Sequence, residues 1–207
     1  MGNDSVVVLD FETTGLSPDS GDRAIEIGAV LLQENRIVAS FQSLMNPEMR
    51  ISSFIEEYTG ITNKMLASAP PIAEVMGKFA TFMADHHLVA HNASFDRRFL
   101  DAELQRIRKE RQQEFACSML VARRLYPDAP SHRLETLVRY KNLVNSGVYH
   151  RALADAEMTA RLWISMVNDL KDDFQFRQVS FALMQQLARV PKRAVAAFLQ
   201  KTAAEQC

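Results

Sequence analysis

Three features of this 207-residue sequence predict an α/β domain built on a mixed sheet. A β-branched run near the N-terminus is apolar on both faces, as a central strand covered from both sides must be. Two more strand-like runs follow it at short intervals, and beyond residue 70 helical and strand-like segments alternate.

Residues 5–12 (SVVVLDFE) place Val6 and Val8 on one face and Val7, Leu9 and Phe11 on the other. Residues 24–33 and 36–46 read as the next two strands, with Glu34-Asn35 as a hairpin connection. Pro70-Pro71 then opens a helix carrying Ile72, Val75, Met76, Phe79, Phe82 and Met83 at helical spacing. Residues 87–91 form the fourth strand, and Asn92 is a suitable N-cap for a helix with Phe95, Phe99, Ala102 and Leu104 on its apolar side. A short fifth strand at 114–117 precedes a helix ending near Pro127 and a brief helix over 133–140. A long helix over 151–170 carries Ala152, Ala156, Leu162, Trp163 and Met166. The polar stretch Asn168 to Asp173 marks a boundary between a main domain, 1–168, and a C-terminal helical extension, 169–207. Two helices, 174–188 and 191–204, make up the extension. Its apolar stripe of Phe176, Val179, Leu183, Met184 and Leu187 suits covering the domain, homodimer formation or a protein partner.

Composition narrows the function classes. Lys and Arg number 24 against 25 Asp and Glu, so any nucleic-acid binding rests on local patches or metal ions rather than on overall charge. Cys117 and Cys207 make no disulfide framework and fit a reducing compartment. Asp4, Asp10 and Glu12 interrupt the apolar run at the N-terminus, which argues against a signal peptide. No stretch approaches the ~20 apolar residues of a membrane span. A soluble cytoplasmic protein without a membrane partner is expected.

The acids carry the chemistry. Asp10 and Glu12, two apart on the first strand, point to one face, where each resists ionising beside the other. Either they lie in water at a frayed strand end, or a divalent cation joins them, since hard oxygen ligands suit Mg²⁺ or Mn²⁺. Asp96 falls in the first turn of the helix after Asn92, where the helix dipole alone favours an acid by ~0.3–1 kcal/mol. Asp155 shares a helix face with Ala152, Thr159 and Leu162, so it looks inward. There it needs a salt bridge, a hydrogen bond or a metal, because an uncompensated buried charge is costly. His150 lies just before that helix, within reach of whatever Asp155 binds.

The segments around these residues resemble a known family. Val8 to Leu16 (VLDFETTGL) is similar to the first motif of the DEDD exonuclease superfamily, and Ala90 to Leu100 (AHNASFDRRFL) to the second. His150 to Ala156 (HRALADA) resembles the third, in the DEDDh branch with a His five residues before the last Asp. Order and spacing agree over residues 5 to about 168. The likeness is to the DnaQ-like group of the polymerase III proofreading subunit, exonuclease X and ribonuclease T, with the second motif most like exonuclease X. It implies a ribonuclease-H-like fold, with a central mixed five-stranded sheet flanked by helices. It also implies 3′→5′ exonuclease activity on single-stranded nucleic acid with a free 3′ end, DNA favoured over RNA, releasing nucleoside 5′-monophosphates.

The resemblance further implies two metal ions, Mg²⁺ or Mn²⁺. Asp10 is shared between them, Glu12 and Asp155 complete one site, and Asp96 serves the other. His150 is the general base, a role that an imidazole pKa near ~6.5 suits. Thr13, Gly15 and Leu16 hold the 3′-terminal nucleotide, with Leu16 on the last base; otherwise Leu16 is a turn-anchoring hydrophobe. Phe95 is a base-stacking ring or core. His91, Asn92 and His132 read as structural. Arg97, Arg98, Arg106, Arg108, Lys109 and Arg111 crowd one helix, most on a solvated face and a minority tracking phosphates. Two other readings stay open, an RNA-processing exoribonuclease and a non-catalytic nucleic-acid-binding module; the presence of all five key residues argues against the second. A free-standing enzyme is preferred to a polymerase-bound proofreader, because the C-terminal segment does not resemble the proofreader's polymerase-binding segment.

Overall fold

The computed structural model describes residues 5–144 and 150–206; Asp4 and Cys207 lie outside the described residues. Strands β1 (Val6–Thr13), β2 (Ala24–Gln33), β3 (Arg36–Leu44), β4 (His87–Ala90) and β5 (Phe115–Cys117) form one sheet in the order β3-β2-β1-β4-β5. The first three run antiparallel, and β4 and β5 add in parallel. Between β2 and β3 the chain turns through Glu34 and Asn35 at φ 50° and 60°, both left-handed as a two-residue hairpin of this hand requires.

The two-faced pattern of β1 is realised in two cores. Val6 and Val8 pack with Val30, Leu32, Trp163 and Met166 on one side of the sheet; Val7, Leu9 and Phe11 pack with Ile27, Phe79 and Phe99 on the other. Each such side chain, fully buried, contributes roughly 1.5–3 kcal/mol. Two short helices, α1 (Ser53–Thr59) and α2 (Asn63–Ala67), follow β3 and enclose a small cluster of Ile25, Ile51, Ile61 and Leu66. Helices α3 (Ile72–Phe82) and α4 (Ser94–Arg106) cover the Phe11 face. The other face is covered by α5 (Ser118–Leu125), α6 (Leu134–Tyr140), α7 (Ala152–Phe174), α8 (Phe181–Arg189) and α9 (Val195–Ala204).

Several boundaries differ from those read in the sequence. α7 runs through the polar stretch 168–173, because Leu170 is still fully buried, and stops at left-handed Gln175 (φ 58°). α8 begins at Phe181, where Ser180 Oγ accepts a hydrogen bond from Leu183 N (3.2 Å). Pro191 is followed by a single 3-10 turn, Lys192–Ala194, before α9 starts. Asn92 is not an N-cap: it is left-handed at φ 64°, and Ala93 occupies the cap without a side-chain hydrogen bond. In the apolar stripe of the extension, Phe176, Leu183, Met184 and Leu187 are buried in the chain's own core, so that face is not left for dimerisation. Among the described residues no helix is long and apolar enough to cross a membrane.

Candidate active site

Along one face of the β1–β2 ladder, Val6 stands opposite Leu32 and Val8 opposite Val30; then Asp10 faces Gly28 and Glu12 faces Glu26. The row changes from apolar to acidic where the start of α7 comes down on it. Gly28 permits that approach: a Cβ there would stand 2.0 Å from Leu153 N and 2.2 Å from the carbonyl carbon of Ala152. Glu26, fully buried, then secures the helix. Its carboxylate accepts from Ala152 N (3.1 Å), from Arg151 Nε and Nη2 (3.1 and 2.8 Å) and from Gln42 Nε2 (3.0 Å). One of the otherwise orphaned N–H groups at the helix start is thereby satisfied by a negative group, which the helix dipole also favours.

With α7 so placed, carboxylate oxygens of Asp10, Glu12 and Asp155 come within 4.8 Å of one another. Asp96 arrives from α4, outside that tight triple, and its Oδ1 accepts from Phe11 N (3.2 Å), the backbone between the two strand acids. Burial is the main influence on all four. It pushes Glu12 up to about 8, Asp96 to about 7 and Asp155 to about 6, and holds Asp10 well above the carboxylate range. Neighbouring carboxylates raise Asp10 and Glu12 further. The hydrogen bond from Phe11 offsets part of the effect at Asp96, and the His150 side chain with the N–H groups of His150 and Arg151 does so at Asp155. Carboxyls gathered this closely ionise together only around a cation, and a compact set of hard oxygen donors fits Mg²⁺ or Mn²⁺.

These acids line a cavity of about 710 Å³. His150, exposed and left-handed at φ 58°, stands at its wall with its ring 4.0 Å from that of Tyr58. Tyr58 and its stacked neighbour Phe54 both come from α1 and are 50% and 68% exposed. Sequence reasoning missed them because a helix of seven residues shows too little period; the signal available was two aromatics four apart in a polar segment. Leu16, 80% exposed at another part of the wall, is not a turn anchor.

The loop beneath Leu16 is closely tied. Thr13 Oγ1 donates to Gly15 O (2.6 Å), Asp22 accepts from Thr14 Oγ1 (3.2 Å) and Ser17 N (2.9 Å), and a Cβ on Gly15 would meet the Asp22 carboxylate at 2.4 Å. Phe95 is both core and wall, packing 4.9 Å from Phe99 while lining the cavity. His91 pairs with Ser118 Oγ and the His132 carbonyl, each at 2.9 Å, and burial lowers it to about 4, so it is neutral and structural. The His132 ring is used on Tyr126 O (3.0 Å).

A buried carboxylate cluster at the end of the central strands of such a sheet is a candidate divalent-metal site, placed as the resemblance to ribonuclease-H-like nucleases implies. The Exonuclease (RNase T) family model matches residues 7–163. The chain is 41% identical over 168 residues to a DNA polymerase III PolC-type of Oceanobacillus iheyensis, and 39% identical over 166 residues to that of Caldanaerobacter subterraneus subsp. tengcongensis. These alignments cover 81% and 80% of this chain but only 12% of each relative. The structure of exonuclease X in complex with 5′-overhanging duplex DNA matches with a TM-score of 0.68 at 28% identity, over 88% of this chain and 99% of that one. The chain belongs to the exonuclease family, within the DnaQ-like DEDD superfamily of divalent-metal-dependent 3′→5′ exonucleases.

Proposed function

We propose that this chain releases nucleoside 5′-monophosphates from the 3′ end of single-stranded DNA, with Asp10, Glu12, Asp96 and Asp155 holding two divalent ions and His150 acting as general base. The observation that carries this reading is the convergence of Asp10, Glu12 and Asp155 oxygens within 4.8 Å on a cavity that Asp96 and His150 also line. When bound, Mg²⁺ or Mn²⁺ offsets the charge of the phosphate under attack, acidifies water and stabilises the departing 3′ oxygen. Asp10 would serve both ions, Glu12 and Asp155 would complete one set of ligands, and Asp96, oriented by Phe11 N, would serve the other. The exposed His150 ring takes the proton from the attacking water. The backbone of Thr13 and Gly15 receives the terminal 3′-hydroxyl, exposed Leu16 packs on the last base, and Phe95 forms part of the wall. Relatives named as DNA polymerases and the DNA-bound exonuclease X favour DNA over RNA.

The test uses 5′-labelled single-stranded DNA and RNA of matched sequence, in Mg²⁺ or Mn²⁺ and in EDTA. A metal-dependent ladder shortening from the 3′ end is expected, faster on DNA. Alanine at Asp10, Glu12, Asp96 or Asp155 abolishes it, and His150→Ala leaves a small remainder. Wild-type turnover by Asp155→Ala would overturn the assignment, a faster ladder on RNA would move the substrate to RNA, and no ladder on either would favour a binding module.

A further inference from the structure

The basic residues on and just beyond α4 separate once their partners are known. Arg98 is engaged by Ser17 and Asp19, Arg106 by Glu103, and Arg111 by Asp101. Arg97 has no carboxylate partner among the described residues. It follows Asp96 by one position, so the helix turns it ~100° away from the acids. It lines a second cavity of about 270 Å³, and Asn92 lines both this cavity and the acidic one, so the two adjoin. Arg189, in the last turn of α8, lines the same hollow and is likewise without a carboxylate partner among the described residues. Among the described residues no Asp or Glu belongs to its wall, although Arg97 also borders a further hollow that Asp19 and Asp101 share. In a chain of net charge -1, two arginines without a carboxylate partner among the described residues give this hollow beside the acidic cavity a positive local charge.

Resting on the exonuclease reading, we propose that this hollow carries the sugar–phosphate backbone of the substrate strand next to the nucleotide held by the acids, with Arg97 and Arg189 each meeting a phosphate. Continuity through Asn92 argues for one extended ligand rather than a separate small one. α8 is firmly placed for the role: Gln185 Nε2 donates to Phe115 O (3.1 Å), Arg124 Nε donates to Val190 O (3.1 Å), and Met184 and Leu187 are buried. A helix beyond the stretch matched by the exonuclease family, 7–163, thus takes part in strand binding. Because phosphates carry no base identity, the site adds affinity without sequence preference.

The test compares two substrates in Arg97→Gln, Arg189→Gln, the double variant and Arg189→Lys. One is a short single-stranded DNA oligonucleotide; the other is the p-nitrophenyl ester of thymidine 5′-monophosphate, which occupies the acidic cavity alone. In the double variant the oligonucleotide KM is expected to rise about tenfold, and the slope of log Kd against log salt to fall by ~1.4, as for two single-strand phosphate contacts. Ester hydrolysis and Tm stay at wild-type values, and Arg189→Lys keeps most of the oligonucleotide affinity. Unchanged oligonucleotide binding in the double variant with ester hydrolysis intact overturns the proposal, as does an equal loss on both substrates. If the wild-type chain cleaves neither substrate, the exonuclease reading itself fails instead.

Discussion

Gly28→Ala tests whether the acid cluster depends on the close approach of α7 to the sheet. The added Cβ would stand 2.0 Å from Leu153 N, where ordinary contact begins near 3.4 Å, so the backbone must yield by about 1.4 Å. A flexible side chain does not absorb this, because the three nearest atoms are helix backbone and the later turns of α7 are buried at Trp163, Met166 and Leu170. Overpacking of this kind costs about 1–3 kcal/mol, and in a chain of this size each kcal/mol lowers Tm by ~2–4 °C. The displaced turn carries Asp155, and misplacing a catalytic group by ~1 Å slows a reaction on the order of 100-fold. Thermal unfolding, Mn²⁺ titration and oligonucleotide hydrolysis together report all three effects. Gly77→Ala is the control: its Cβ meets nothing within 4 Å inside α3, so it stabilises by ~0.5–1 kcal/mol. A Gly28→Ala protein with wild-type melting, metal affinity and rate would refute the packing argument.

Three further outcomes follow from the site. Glu26→Ala strands Arg151 and the Ala152 N–H, lowering stability by about 2–3 kcal/mol and reducing kcat more than KM; an unchanged Tm counts against the clasp. In EDTA, Tm falls as pH rises from 6.5 to 8. Glu12 and Asp96 keep protons in the folded state up to about 8 and about 7 that unfolded carboxyls have already released, so the folded state binds more protons and loses stability through that window. His91, lowered to about 4, acts in the opposite sense but mainly below pH 6.5. Mg²⁺ removes the fall, and a Tm that is flat or rising in EDTA contradicts the scheme. Leu16→Ala raises KM several-fold without changing Tm, since the side chain is 80% exposed; a lowered Tm would show an anchoring role instead.

Much of this architecture is legible in the sequence where a pattern repeats often enough to be read. β1 shows both of its faces in six residues, strand alternation puts Asp10 and Glu12 on one face and helix phase turns Asp155 inward, whereas the place of Asp96 beside them is implied only by the resemblance of the surrounding motifs. What escapes reading is local or relational. α1 and α2 are too short to show a period, and the helix that ends at Phe174 hides its last turns behind charged residues on its outer side. Asn92 has the composition of an N-cap but takes a left-handed turn one residue earlier. Gly28 looks like a weak point in a strand until the helix above it is seen. Glu26 is the instructive omission: an acid within the apolar run AIEIGAV needs a partner, and that partner lies 125 residues away in sequence at Arg151.

The dual employment of α7 has a dynamic consequence. Its first turn presents Asp155, while Leu162, Trp163, Met166 and Leu170 further along are sealed in the larger core. A helix fastened at its start by Glu26 and along its length by that core does not open in part at low cost, so the amide hydrogens of its buried turns from Asp155 onward are expected to exchange with solvent mainly through unfolding of the whole molecule. Heat inactivation and heat unfolding are then a single event, and on that side the acids keep their places for as long as the fold lasts.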